Sequence, residues 1–394
     1  MDWNSAFATQ MNRVMASEIR ERAKTIDLSA VIQLGGGLPD RAILPHPLVQ
    51  SVCDTILKTD GEAALQYAPS EGYGPLREWL AAYVTKTEFP CSPDNILITN
   101  GSQQALDLIG RVFLDVGDQV VLDAPTFIGA IRAFDLTGAD YADIGSDFNQ
   151  PNEDSLKNSS LGYFQADFSN PGGTCYSEKE RTLLSDLVNR YSLPIIEDAC
   201  YTPLRYEGEP LPSIQAINVA QNGGIDNSLV FRTGTFSKTI APSLRVGWII
   251  GPKEAIRKIT LVKQACDLST GKLAQMIAQS IASQHFDSQC EKAVATYKPR
   301  CAAMLKALRE HMPDGVSWTK PEGGFYIWLT LPDLIDSKDL ANRSLTEAQV
   351  SIISGHAFFP GDGGAKYARL SFSLEPEEKG TEAIKRLSAL IRSM

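Results

Sequence analysis

Short unbroken apolar runs, rich in β-branched residues, recur along the first two thirds of the chain and are separated by stretches whose apolar positions return every three to four residues. The runs include Ile96-Leu97-Ile98-Thr99, Val120-Val121-Leu122, Gly162-Tyr163-Phe164-Gln165, Ile195-Ile196-Glu197-Asp198, Leu229-Val230-Phe231 and residues 246–250. Runs without polar alternation predict strands covered on both faces, because a half-exposed strand alternates. Helices are predicted between them at 102–113, 127–136 and 178–191. Strands alternating with helices in this way predict an α/β fold with a mainly parallel sheet. Helical periodicity resumes from 253 to about 313, after which 318–331 and 368–373 read as strands of a smaller α+β domain. Residues 144–160 crowd Asn, Asp, Ser and Pro with little period and read as a surface excursion of the large domain.

Length and charge narrow the picture. A chain of 394 residues exceeds the roughly 250 to 300 residues at which single cores stop growing, so two domains are expected. The formal net charge of −10 offers no basic stripe for nucleic acid. The first 30 residues are polar and of mixed charge with no apolar core segment, which reads as neither a signal peptide nor a membrane span, and a cytoplasmic enzyme is the expectation. Seven cysteines form no C-x-x-C pair and read as reduced thiols, and four scattered histidines give no metal-ligand spacing, so no metal is expected.

Candidate chemistry centres on Thr233-Gly234-Thr235-Phe236-Ser237-Lys238, followed by Arg245 and Gly247. A lysine amine can condense with the aldehyde of pyridoxal 5'-phosphate if a neighbouring anion site fixes the cofactor. The Thr235 and Ser237 hydroxyls and the Arg245 fork are suited to that anion. By itself a Ser-Lys pair marks only a surface lysine beside a turn. Asn100-Gly101-Ser102-Gln103 ends one predicted strand and opens a helix, so the Ser102 and Gln103 amides point outward as anion donors; Ser102 alone would be an ordinary N-cap. Asp198 ends a buried strand, where open α/β sheets place ligands, while Glu197 faces the opposite side. Arg369, in an alternating strand, calls for an anion: a substrate carboxylate, or a nearby Glu.

Together with Gly35-Gly36-Gly37-Leu38-Pro39, Gln66-Tyr67-Ala68-Pro69-Ser70-Glu71-Gly72-Tyr73-Gly74 and Pro321-Glu322-Gly323-Gly324-Phe325, these segments occur in an order that resembles fold-type I, class I/II aminotransferases over almost the whole chain. The likeness is to the subgroup of 2-aminoadipate, kynurenine and aromatic aminotransferases. The resemblance implies a pyridoxal-phosphate enzyme with a large domain at 34–275 and a small domain made of 1–33 and 276–394. It also implies a catalytic Lys238 that first holds the cofactor and then acts as base, with Asp198 on the pyridine nitrogen and Tyr201 and Asn170 on the ring's phenolic oxygen. Phe127 would stack on the ring, worth on the order of 1 kcal/mol beyond burial; Arg369 would receive the α-carboxylate, and the backbone of Gly37 and Leu38 would close over it. Tyr67 would reach the site of a neighbouring subunit in a homodimer, and Arg20, in Ser17-Glu18-Ile19-Arg20-Glu21, would lie across the substrate side chain.

Two positions depart from the family pattern: Gly172 stands where relatives show Thr or Ser, and Cys200 where they often show proline. Cys200 reads as a small packing residue. The expected reaction moves an amino group from an aromatic, aliphatic or 2-aminoadipate-like amino acid to a 2-oxo acid such as 2-oxoglutarate. A lyase or decarboxylase using the same lysine is the alternative on this fold, and a non-catalytic aminotransferase-like regulatory protein the alternative outside enzymes.

Overall fold

The computed structural model describes residues 3–14, 30–145 and 147–394. Its strands in chain order begin with β1 (Ile32–Gln33), β2 (Ile96–Thr99), β3 (Gln119–Leu122) and β4 (Asp140–Asp143). β5 (Ser159–Phe164), β6 (Ile195–Asp198), β7 (Val230–Thr235) and β8 (Gly247–Ile250) follow. β2 to β8 form one seven-stranded sheet, ordered β2-β8-β7-β6-β5-β3-β4. Only β8 runs against its neighbours; the other pairs are parallel. Each predicted apolar run falls on one of these strands.

Side-chain alternation divides the core around this sheet. Ile196, Val120, Leu122 and Tyr163 pack with helices Ser102–Phe113, Ile128–Asp135 and Lys253–Cys266 on one face. Ile195, Val121 and Phe164 pack with Glu178–Tyr191 and Ile214–Gln221 on the other. Each such aliphatic side chain taken out of water stabilises the fold by about 1.5–3 kcal/mol, so a one-residue slip of β6 would forfeit both layers. Local signals agree with these layers: Ser177 and Glu180 form a reciprocal capping box at the start of Glu178–Tyr191, the S-x-x-E pattern that satisfies two orphan amides.

One helix, Lys272–His311, packs against both the large sheet and the smaller part of the molecule. Its Met276, Ile277, Ile281 and Phe286 pack with Ile96 and Ile250 of the large sheet. Further along, Tyr297, Cys301, Met304 and Leu308 pack with Phe325, Ile327 and Leu370. Ile327 and Leu370 belong to the smaller, antiparallel sheet, and Phe325 immediately precedes one of its strands. That sheet is built from β9 (Ser317–Trp318), β10 (Tyr326–Thr330), β12 (Ile353–Ser354) and β13 (Tyr367–Ser371), while β11 (Val350–Ser351) pairs in parallel with β1. The predicted strand 318–331 is interrupted because Pro321, Gly323 and Gly324 break it, Gly324 at φ 69°.

The expectation of a surface excursion at 144–160 is corrected by the structure. Asn152 caps a short helix, Glu153–Asn158, by accepting from the Ser155 amide, and Ile144, Phe148 and Leu156 are buried against Val121 and Phe164. Three anchors spaced four and eight residues apart are too sparse to show a helical period, yet they suffice to dock the segment.

Beside β3, the Tyr176 hydroxyl donates to Asp123, and burial pushes the Asp123 carboxyl up to about 7. The folded chain therefore holds this proton more tightly than an unfolded one, whose Asp titrates near 3.8. Stability from this group is full below about pH 4 and is lost as pH rises through about 7. Thermal melts should show Tm declining across that window by an amount that Asp123→Asn removes; equal slopes in the two proteins would refute this.

Among the described residues no helix is long and apolar enough to cross a membrane, and no group of three His, Cys, Asp or Glu side chains could hold a metal ion.

Candidate active site

The carboxyl ends of β5, β6 and β7 bring polar side chains together inside the sheet's apolar layers. Asp198, 2 % exposed, shares a face with Ile196, and strand register places Thr233 directly beside it. Its Oδ1 accepts from Thr233 Oγ1 at 3.3 Å, and its Oδ2 from Tyr163 Oη at 2.8 Å and Gln165 Nε2 at 3.4 Å. Tyr163 pairs with Ile196, so its phenol reaches Asp198 along the diagonal. Glu197 faces the other layer, as its parity predicts, and accepts from the amides of Ile214 and Gln215 at the start of their helix, an end whose positive dipole favours an anion.

An anion cradle lies at the neighbouring strand ends. Gly101, at φ 77°, precedes the helix Ser102–Phe113, whose first amides have no intrahelical acceptor. Arg245, itself left-handed at φ 52°, reaches across to donate to the Asn100 carbonyl at 3.3 Å and to that of Pro242 at 3.3 Å. The Thr235 hydroxyl donates to Ser237 Oγ at 2.9 Å, and the Ser237 amide returns a bond to Thr235 at 3.1 Å. Amides, two hydroxyls and a guanidinium with no carboxylate among them suit a phosphate. A Cβ on Gly101 would sit 2.5 Å from Arg245 Nη2. Gly101→Ala should therefore displace the fork and raise the cofactor's dissociation constant by at least about tenfold, a loss of 1.4 kcal/mol or more. Equilibrium titration with pyridoxal phosphate checks this, and unchanged affinity would remove Arg245 from the cradle.

Lys238 leaves this cradle half-buried. Its Nζ donates to the Gly37 carbonyl at 3.1 Å and lies 5.6 Å from the centre of the Tyr201 ring. The Tyr201 and Tyr326 hydroxyls bond each other at 2.9 Å. Burial pushes the Tyr201 phenol well up, which keeps it a neutral donor. Arg369 is 6 % exposed on β13, where register sets it opposite Trp328. Its Nη1 donates to Asn170 Oδ1 at 2.7 Å and its Nη2 to the Gly35 carbonyl at 2.6 Å, while Nε is buried with no partner. The Tyr326 and Phe358 rings lie 4.3 and 4.9 Å from its Cζ. No carboxylate accompanies this cation among the described residues, and burial alone draws its pKa down. A charge so placed is stabilised by an arriving carboxylate.

The remaining expected residues are distributed as follows. Phe127 is half-buried at the cap of Ile128–Asp135, and Gln103 Nε2 donates to the Gly129 carbonyl at 2.7 Å, tying that helix to the anion-facing turn. Leu38 is 60 % exposed and Tyr67 76 % exposed. Arg20 lies outside the described residues. Cys200 is buried and its thiol pushed well up by that burial, as a packing residue requires.

Sequence reasoning passed over Tyr163, Gln165 and Thr233, although polar residues at alternate positions of buried strands mark them. It also passed over Asp167, which accepts from Arg181 at 2.6 Å, Arg205 at 3.0 Å and Thr202 at 2.9 Å. That carboxylate ties the loop carrying Asn170 to the turn after Tyr201. Tyr326, in the hydroxyl pair and beneath Arg369, was also missed.

Known proteins share this architecture. A family model described as aminotransferase class I and II matches residues 30–387. Aromatic-amino-acid aminotransferase 1 of Thermococcus litoralis is 39% identical, with 100% of this chain and 95% of that protein covered. A crystal structure of alpha-aminoadipate aminotransferase from Thermus thermophilus, complexed with N-(5'-phosphopyridoxyl)-L-leucine, is 34% identical at a TM-score of 0.91, covering 100% of this chain and 99% of that one. The kynurenine aminotransferase of Pyrococcus horikoshii, in complex with PMP, is 38% identical at a TM-score of 0.92, covering 100% and 98%.

Proposed function

The chain belongs to the class I and II aminotransferases, and on that premise we propose a division of labour for the residues above in a pyridoxal-phosphate enzyme that moves an amino group between an amino acid and a 2-oxo acid. The observation that carries it is the buried Arg369 cation, which no carboxylate of the described residues accompanies, bonded to Asn170 and connected through Tyr326 and Tyr201 to the Lys238 amine.

When bound, pyridoxal phosphate supplies an aldehyde that takes up the amino group and a ring that accepts the electrons released at the substrate Cα. The chain's own residues do the rest. Ser102, Gln103, Thr235, Ser237 and Arg245 hold the phosphate, and Phe127 limits the ring plane. Asp198, fixed by three donors, presents its charge to the pyridine nitrogen and keeps that nitrogen protonated. Asn170 spends its Oδ1 on Arg369 and keeps Nδ2 for the ring's phenolic oxygen, which Tyr201 also approaches. Arg369 takes the α-carboxylate bidentately, and the Gly37 and Leu38 backbone closes above it. Lys238, once free, moves the proton between Cα and the cofactor's C4′ as general base and then acid.

Aromatic, aliphatic and 2-aminoadipate-like donors with 2-oxoglutarate as acceptor form the substrate class of this proposal, with Arg20 as the residue facing a distal carboxylate. The cytoplasm is its compartment, supported by seven free cysteines. A half-reaction screen tests the reading: amino acids are mixed singly with the loaded enzyme while the cofactor spectrum and the 2-oxo acid are followed. Ammonia or carbon dioxide in place of a 2-oxo acid would favour the lyase or decarboxylase. Exposed Tyr67 completes the site of a second copy in a homodimer. Sedimentation at assay concentration should give a dimer, and Tyr67→Phe should weaken cofactor affinity several-fold; a fully active monomer would exclude Tyr67 from the site.

A further inference from the structure

We infer that Tyr326 is a positioning residue with two separable tasks: its hydroxyl sets the Tyr201 phenol for the cofactor's ring oxygen, and its ring seats the Arg369 guanidinium for the substrate carboxylate. The geometry comes from the register of the small sheet. Tyr326 and Trp328 lie on one face of β10, and β13 pairs Trp328 with Arg369 and Tyr326 with Ser371, so the Tyr326 ring falls diagonally beneath the guanidinium. The ring centre is 4.3 Å from Arg369 Cζ, within cation–π range, and the residue is 2 % exposed. From the same ring the hydroxyl reaches Tyr201 Oη at 2.9 Å.

Tyr201 carries one phenolic proton, and two oxygens could receive it: Tyr326 Oη, or the ring oxygen of the cofactor. If Tyr326 donates to Tyr201, the Tyr201 proton is free for the cofactor and the donated bond strengthens it as a donor. Space for the Tyr326 hydroxyl exists only because residue 37 is glycine: a Cβ there would overlap the phenol oxygen. The same Gly37 accepts from Lys238 through its carbonyl, so one residue abuts both the base and the Tyr326 hydroxyl that bonds the cofactor-facing phenol. This inference rests on the reading of Tyr201 as the cofactor's phenolic-oxygen donor.

The test uses holoenzyme and three variants, with the pH midpoint of the bound cofactor's visible absorbance as the readout. A bond donated to an anionic oxygen favours its deprotonated form, so weakening that bond raises the midpoint. Tyr326→Phe should raise it by about half a pH unit, less than Tyr201→Phe does, with KM for the amino acid within about twofold of wild type because the ring remains. Tyr326→Leu should show the same midpoint rise and, in addition, a KM raised by about tenfold as the guanidinium loses its seat. A Tyr326→Phe midpoint equal to wild type would overturn the hydroxyl's task, and equal KM in Tyr326→Phe and Tyr326→Leu would overturn the ring's. A Tyr201→Phe midpoint equal to wild type would instead reject the underlying reading of Tyr201.

Discussion

Lys238→Ala should lower transamination by at least ~10⁴-fold, the upper range for a positioned acid–base group, because the same amine must both release the cofactor to the substrate and carry the Cα proton. The fold should survive. Lys238 is half-buried and its amine makes a single hydrogen bond among the described residues, to the Gly37 carbonyl, so its removal leaves neither an empty core site nor a buried charge without a partner. Cofactor should still bind, through the amides, hydroxyls and guanidinium of the cradle. Small primary amines added to the Lys238→Ala protein should restore a measurable fraction of turnover, since they can occupy the vacated space as base. Steady-state assay with calorimetry checks both halves; turnover within about tenfold of wild type would show that another group moves the proton.

The second large effect is expected at Asp198. In Asp198→Asn one carboxylate oxygen becomes an NH2 facing either the Thr233 hydroxyl or the donors of Tyr163 and Gln165, which now bond the carboxylate. With the NH2 toward Thr233, whose hydroxyl can accept, every bond can be remade but without charge assistance, which costs about 1 kcal/mol, so Tm should fall by only about a degree or two. The rate should fall further, by about 10²–10³-fold, because an amide cannot hold the pyridine nitrogen in its protonated form. If the variant retains full cofactor and near-normal turnover, a different acid serves the ring.

Strand parity made much of this legible beforehand. Asp198 and Glu197 could be assigned to opposite layers from the sequence alone, since a buried strand must alternate, and the structure places Glu197 on a helix start and Asp198 in the polar cluster. The apolar runs that became β2, β3 and β6 were readable because strands covered on both faces carry unbroken apolar runs. β4 was not: Asp-Tyr-Ala-Asp is an edge strand whose side chains are largely exposed, and it carries no run. The short helix Glu153–Asn158 was hidden by its few anchors. Site residues whose role depends on sequence-distant partners were also hidden. Tyr326 reads as one more aromatic in an apolar strand until β13 is paired with it, and Asp167 as a loop acid until Arg181, Arg205 and Thr202 converge on it.

The central claim is that Lys238 is the residue to which the cofactor is joined. Reduction of the cofactor-loaded protein with borohydride, followed by proteolysis and mass spectrometry of the peptides, tests it directly. The account predicts one added pyridoxyl group per chain, on the peptide containing Ser237-Lys238-Thr239, and its loss when an excess of a reactive amino acid is present before reduction. Recovery of the group on any other lysine, or on none, would contradict it.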